Sequence, residues 1–145
     1  MASALVITPQ HGFVLGTLAT SFLVQNMWMG LQVGKARRKY KVFYPNLYAD
    51  KDHPQADAFN CIQRGHQGTL EMAGSFHTLL LVAGLRFPIA ASVAGLGYLI
   101  GRVMFFKGYS TGDPRNRMRG ALYALSMFSL VGMTATWAVQ LLTKL

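Results

Sequence analysis

Apolar and polar residues alternate along this chain in long blocks. No charge occurs between Ala4 and Gly34, none after Glu71 until Arg86, and none from Gly120 to Thr143. A further stretch, Pro88 to Phe106, is broken only by Arg102. A helix needs about 20 apolar residues to cross a bilayer. The blocks therefore predict four transmembrane helices, over about 9–41, 58–85, 88–110 and 114–142. Local signals set the ends. The run Lys35-Ala36-Arg37-Arg38-Lys39 favours helix and Pro45 stops it soon after. Arg86-Phe87-Pro88 reads as a tight turn, and Asp113-Pro114 as an N-cap followed by proline at the first helical position. Gly95, Gly97 and Gly101 would let a neighbouring helix approach closely. The segment from Phe43 to Ala58, with two prolines and three aspartates, is a connector. The first apolar block lacks a basic flank and is about twice as long as the apolar core of a secretory signal, so it is expected to be retained. The fold class is all-α: one integral-membrane four-helix bundle occupying 1–145.

Composition supports that picture and charge orients it. Of 145 residues, 52% are hydrophobic and 13% charged, and the net charge is +9. In a soluble chain such a charge would suggest nucleic acid, but here the bases gather beside the apolar blocks. Lys35, Arg37, Arg38, Lys39 and Lys41 follow the first block, and Lys107, Arg115, Arg117 and Arg119 lie between the third and fourth. An even number of crossings separates the two clusters, so both face one side. The positive-inside rule makes that side cytosolic, with lumenal termini. No nucleic-acid partner is expected. Cys61, the single cysteine, has no disulfide partner and reads as a packing residue. His66 and His77 have no companions at zinc spacing, so no metal site is expected, and no phosphate loop or nucleophile elbow is present.

Glu71 is the residue that charge patterning singles out. Of the five acidic side chains, Asp50, Asp52, Asp57 and Asp113 lie in polar connections, whereas Glu71 leads into an apolar run. A carboxylate there needs a partner, and Arg64, two helical turns earlier, is the first one available. Asn60, Arg64, Gln67 and Glu71 share one helix face at spacings of four, three and four. Together with Arg37, Arg38, Arg102, Arg115, Arg117 and Arg119 they form an arginine-rich mouth suited to an anion. Glu71 could hold an ammonium group, so a small zwitterion with extra carboxylates fits better than a simple anion. A lipid-soluble second substrate could reach the same site through the bilayer. The plainer readings are arginines that snorkel to lipid phosphates, a purely structural Arg64–Glu71 pair, and aromatics Phe105, Phe106 and Tyr109 that simply pack.

Several segments together resemble the membrane-associated proteins in eicosanoid and glutathione metabolism, nearest the type 3 microsomal glutathione transferase branch. They are Lys35 to Val42, Phe59 to Arg64, Thr69-Leu70-Glu71, Gly101-Arg102-Val103, Gly108 to Gly112, and Arg119 to Leu122. The resemblance implies a homotrimer in the endoplasmic reticulum membrane, with the outer mitochondrial membrane as a second location. It implies glutathione as cosubstrate, no other cofactor, and a lipophilic electrophile or lipid hydroperoxide as the second substrate. Carried over by position, Arg64, His66 and Glu71 bind glutathione, Arg37 reaches it from the neighbouring subunit, and Tyr109 contacts the peptide. Arg117 stabilises the thiolate, with Arg115 and Arg119 as alternatives, and Arg38 donates a proton to the product. Gly68, Met72 and Phe105 line the same site but depart from the family pattern of asparagine, tyrosine and tyrosine. The expected function is glutathione transfer with peroxidase activity, extending to leukotriene C synthesis. The alternative is a non-catalytic scaffold that binds fatty acid and presents it to another enzyme.

Overall fold

The computed structural model describes residues 6–144. Regular structure among these residues is entirely helical. The first helical rod is continuous from His11 to Tyr40 but changes pitch on the way: α1 (His11–Phe22), a π-helical segment Leu23–Trp28, then α2 (Met29–Tyr40). In the widened segment the Gln25 carbonyl accepts from His66 Nε2 at 2.9 Å, a tie to the next helix that a regular turn would use internally. One turn earlier, Ser21 Oγ and His77 Nε2 lie 2.8 Å apart. These two hydrogen bonds, and a third from His11 Nε2 to the Leu85 carbonyl at 3.3 Å, fasten the rod to α3 (Ala56–Arg86).

α3 has 31 residues, which at 1.5 Å per residue is about 46 Å, more than a bilayer core. After a single-residue turn at Phe87, proline opens α4 (Pro88–Tyr109). α4 is the hub of the fold: it touches α1, α3, α5 (Leu122–Leu142) and the 3-10 helix Pro114–Gly120. Phe76 stacks on Tyr98 with ring centroids 3.9 Å apart, inside a core completed by Val14, Leu80, Leu99 and Leu130. A smaller cluster of Ala36, Val42, Ala49 and Phe59 sits at the loop end. Gly101 carries the α4–α5 contact. A Cβ added there would lie 2.9 Å from the Tyr123 Cα, so only glycine admits this approach.

Two local expectations change. Asp113 does cap, accepting from the Arg115 amide at 2.9 Å, with Pro114 first in the helix. The segment it opens is a 3-10 helix, however, and α5 begins only at Leu122. The backbone of Asn116 lies against Gly108, closer than any side chain would allow, and this contact presses Pro114–Gly120 onto α4. Arg102, read from sequence as part of an open arginine-rich mouth, is buried near the end of α4, as is Tyr109.

The outer faces are apolar. Phe13, Leu15, Val93, Leu125 and Phe128 are exposed. α4 and α5 are each long and apolar enough to cross a membrane.

Candidate functional site

The connection between α2 and α3 is fixed first, because it forms one wall of the site. Lys41 adopts a left-handed conformation (φ 56°) and turns the chain back over α2. Arg37, only 6% exposed, fills the resulting bend: Nη1 donates to the carbonyls of Asn46 (2.7 Å) and Val42 (3.4 Å), and Nη2 to that of Leu47 (3.3 Å). Its guanidinium also lies 4.4 Å from the Tyr44 ring centroid. Asn60 pairs with both backbone groups of Ala49, and the Tyr48 hydroxyl donates to Gln67. Half of the polar stripe on α3 therefore clasps the loop.

The other half faces a cavity of about 320 Å³ between α3, α4 and the 3-10 helix. Arg64 Nη1 donates to Glu71 Oε1 at 2.7 Å, and the two side chains are 48% and 49% exposed. A half-hydrated pair of this kind contributes little to stability. Both groups stay open to a ligand. Across from them, Arg117 Nη1 donates to the Tyr109 hydroxyl at 2.8 Å. Gly68, Met72 and Phe105 complete the expected lining. A Cβ at Gly68 would meet the Phe105 ring at 3.9 Å, an ordinary contact, so this wall has room to spare.

Seven of the sequence-derived residues thus come together: Arg64, Gly68, Glu71, Met72, Phe105, Tyr109 and Arg117. Three do not line the cavity of their own chain. His66 is bonded to the π-helical segment, Arg37 is turned into its own loop, and Arg38 lies on α2 away from the cavity. Arg115 and Arg119 also lie outside it, and Arg115 stands 3.5 Å from Asp113.

Arg102, which the sequence places in the arginine-rich mouth without a role of its own, and Tyr123, which it does not single out, also line the cavity. Arg102 is 2% exposed, with its guanidinium 3.9 Å from the Tyr123 ring centroid and 5.1 Å from that of Phe105. Nε donates to the Tyr98 hydroxyl at 3.2 Å. It has no carboxylate partner among the described residues. The spacing Tyr98, Arg102, Phe105 places two rings beside one cation on a single helix face, and that signal was present in the sequence. A neighbouring cavity of about 380 Å³ shares Arg64 and Tyr109 and adds Asp57, Asn60 and Cys61. The cleft therefore continues towards the loop, with a second carboxylate at its far end.

The 320 Å³ cavity thus gathers three cations, one carboxylate and a set of aromatic rings, charges that would suit an anion or zwitterion, on an all-helical chain with apolar outer faces. The comparisons place the chain in a family. The MAPEG family model matches residues 15–139, and the chain belongs to that family. The microsomal glutathione S-transferase 2 of Bos taurus is 32% identical over 135 residues, covering 92% of this chain and 86% of the relative. The Homo sapiens protein of the same name is 30% identical over 122 residues, covering 83% and 78%. An uncharacterised protein of Synechocystis is 30% identical over 118 residues, covering 79% and 82%. Both mammalian relatives carry the type 2 name, and neither favours the type 3 branch suggested by the motifs. Family membership and the apolar helices make this a membrane protein.

Proposed function

We propose that the protein is a membrane-bound glutathione transferase that also reduces lipid hydroperoxides with glutathione. The observation that carries this reading is the convergence of Arg64, Arg102 and Arg117 with Glu71 on one cleft. Glutathione carries two carboxylates, one ammonium and one thiol. Arg64 and Arg102 would take carboxylates as charge-assisted partners, and Glu71 would take the ammonium. Arg117, oriented by the Tyr109 hydroxyl, would face the sulfur. A thiol of pKa about 8.5 is mostly protonated at neutral pH, and a guanidinium beside it favours the reactive thiolate.

In transfer, the thiolate forms a C–S bond to the electrophile and the leaving group departs with its electron pair. In peroxide reduction, it attacks one peroxide oxygen, the O–O bond breaks, and the lipid alkoxide takes a proton to become an alcohol. A second glutathione then converts the sulfenic acid to the disulfide with loss of water. Glutathione supplies all the electrons.

The working assembly in this reading is a homotrimer of four-helix bundles in the endoplasmic reticulum membrane, each bundle being the single domain 1–145. Support comes from the open side of the cleft, where Arg64, Glu71 and Arg117 are exposed and a neighbouring copy would complete the walls. Arg38, which makes no hydrogen bond or ion pair through its side chain among the described residues, is the arginine free to reach a neighbour's cleft and donate the product proton. Arg37 could do so only by giving up its loop carbonyls.

The second reading, a fatty-acid scaffold without turnover, is favoured by one wall: Gly68, Met72 and Phe105 offer no side-chain hydrogen-bond donor. Turnover decides between the two. Purified protein with glutathione is expected to convert a chloronitrobenzene and a lipid hydroperoxide, with large losses in Arg117→Ala and Glu71→Gln. Fatty-acid binding without turnover on either substrate would establish the scaffold instead.

A further inference from the structure

At the opposite end of the molecule, a cavity of about 500 Å³ opens between the start of α1, the α3–α4 turn and the end of α5. It is larger than the candidate site and plays no part in the glutathione reading. Its walls carry Arg86, Lys144, Gln140 and Trp137. His11 shapes one side: Nδ1 lies 3.0 Å from the Thr8 amide and Nε2 3.3 Å from the Leu85 carbonyl, which clamps the leading segment onto the end of α3. Arg86 Nε donates to Gln140 Oε1 at 3.4 Å, and its other four donors have no hydrogen-bond partner among the described residues. Neither Arg86 nor Lys144 has an ion-pair partner among the described residues.

The charge distribution explains why they have none. Asp50, Asp52 and Asp57 lie in or beside the α2–α3 connection, Asp113 precedes the 3-10 helix, and Glu71 sits midway along α3. Because α3, α4 and α5 each run the length of the molecule, no Asp or Glu side chain falls at this end. Snorkelling accounts for one lone cation at a helix end. It does not account for two cations sharing a cavity whose other walls hold no carboxylate: the indole of Trp137, the polar side chains Thr8, Gln10, His11 and Gln140, and the apolar side chains Val6, Leu85, Pro88 and Leu141. Val6 and Leu141 are exposed, as are Ile89 and Val139 beside them.

We propose that this cavity binds an anionic phospholipid, with its phosphate between Arg86 and Lys144 and its acyl chains along the exposed apolar ends of α4 and α5. Phosphate oxygens suit guanidinium and ammonium donors. A free phosphate would satisfy the charges but leave the apolar rim against water, so the lipid is favoured over the soluble ion.

The test uses full-length protein in phosphatidylcholine nanodiscs or mild detergent, with phosphatidic acid as the probe. Bound lipid is counted by native mass spectrometry, and the unfolding midpoint is followed in parallel. One phosphatidic acid per chain is expected to be retained with a raised midpoint, and affinity is expected to fall at least tenfold in Arg86→Gln/Lys144→Gln. Lys144→Gln alone, just beyond the end of α5, gives a weaker version of the same loss should the double variant not fold. Inorganic phosphate reproducing the midpoint shift would overturn the lipid assignment in favour of a soluble anion. Retention unchanged in the variants, or equal for phosphatidylcholine and phosphatidic acid, would overturn the site. Glutathione turnover is expected to be unchanged throughout, so failure here is distinguishable from failure of the glutathione reading.

Discussion

Replacing Arg102 by methionine separates two reasons for keeping a cation among aromatic rings. The guanidinium has the Tyr123, Phe105 and Tyr98 rings around it and one hydrogen bond to the Tyr98 hydroxyl, with no carboxylate among the described residues. A cation–ring contact contributes from about 0.5 kcal/mol when exposed to about 2 kcal/mol or more when desolvated, and a hydrogen bond from a charged group about 1.5–3 kcal/mol. The effective cost of desolvating the ion is several kcal/mol. These contributions come close to cancelling, so methionine, of similar length and apolar, is expected to leave ligand-free stability within about 1 kcal/mol or to raise it. The ligand side does not cancel. A lost guanidinium–carboxylate contact of about 1.5–3 kcal/mol weakens glutathione binding roughly 10- to 150-fold. Thermal unfolding with and without glutathione measures both effects. At one hundred times its Kd, glutathione stabilises the parent protein by about 2.7 kcal/mol, whereas a variant binding a hundredfold more weakly keeps only about 0.4 kcal/mol at that concentration. A variant that loses several kcal/mol without glutathione, yet responds to glutathione like the parent, would show that Arg102 is structural and refute its place in the site.

Arg117→Ala is expected to raise the pKa of bound glutathione towards its free value of about 8.5. The sign follows from the charge: the cation depresses the thiol pKa, so its removal lowers the thiolate fraction and with it turnover at neutral pH. Once that pKa lies above the assay pH, each further rise of one costs about tenfold, and part of the loss is restored above about pH 8.5. A pH–rate profile that keeps its position would remove Arg117 from the thiolate. Gly101→Ala drives a methyl into the Tyr123 backbone and is expected to cost about 1–3 kcal/mol or more in denaturation. Gly74→Ala, with nothing within 4 Å, is the matched control and is expected to be neutral or stabilising by about 0.4–1 kcal/mol. Arg37→Ala releases three loop carbonyls and is expected to make the segment 43–55 cleavable under limited proteolysis, at a cost of about 1–3 kcal/mol. Unchanged protease resistance would mean that Asn60 and Gln67 hold the loop without it.

Relations within one helix were legible in the sequence, and relations between helices were not. The all-helical character follows from uncharged blocks too long to be strands, and the Arg64–Glu71 pair from a spacing of two turns on one face. Gly101 was readable as a close-approach position, though not its partner Tyr123. The π-helical segment carries no local signature: the hydrogen bond that accompanies it comes to the Gln25 carbonyl from His66, 41 residues away. The role of Arg37 was equally hidden, because the carbonyls it serves are assembled only when Lys41 reverses the chain.

The late start of α5 has a consequence for the chemistry. Placed in the first turns of a long helix, Arg117 would act together with that helix's positive end. The structure puts it in a short 3-10 helix, with α5 starting only at Leu122. The helix dipole acts within about one turn of its terminus, so it contributes little at the Arg117 guanidinium. In the proposed reaction, stabilisation of the thiolate then falls to Arg117 itself, held by Tyr109, with Arg64 and Arg102 as the further cations in the cavity. Tyr109→Phe is therefore expected to weaken turnover through the orientation of Arg117, with a pH profile displaced in the same direction as in Arg117→Ala but by less.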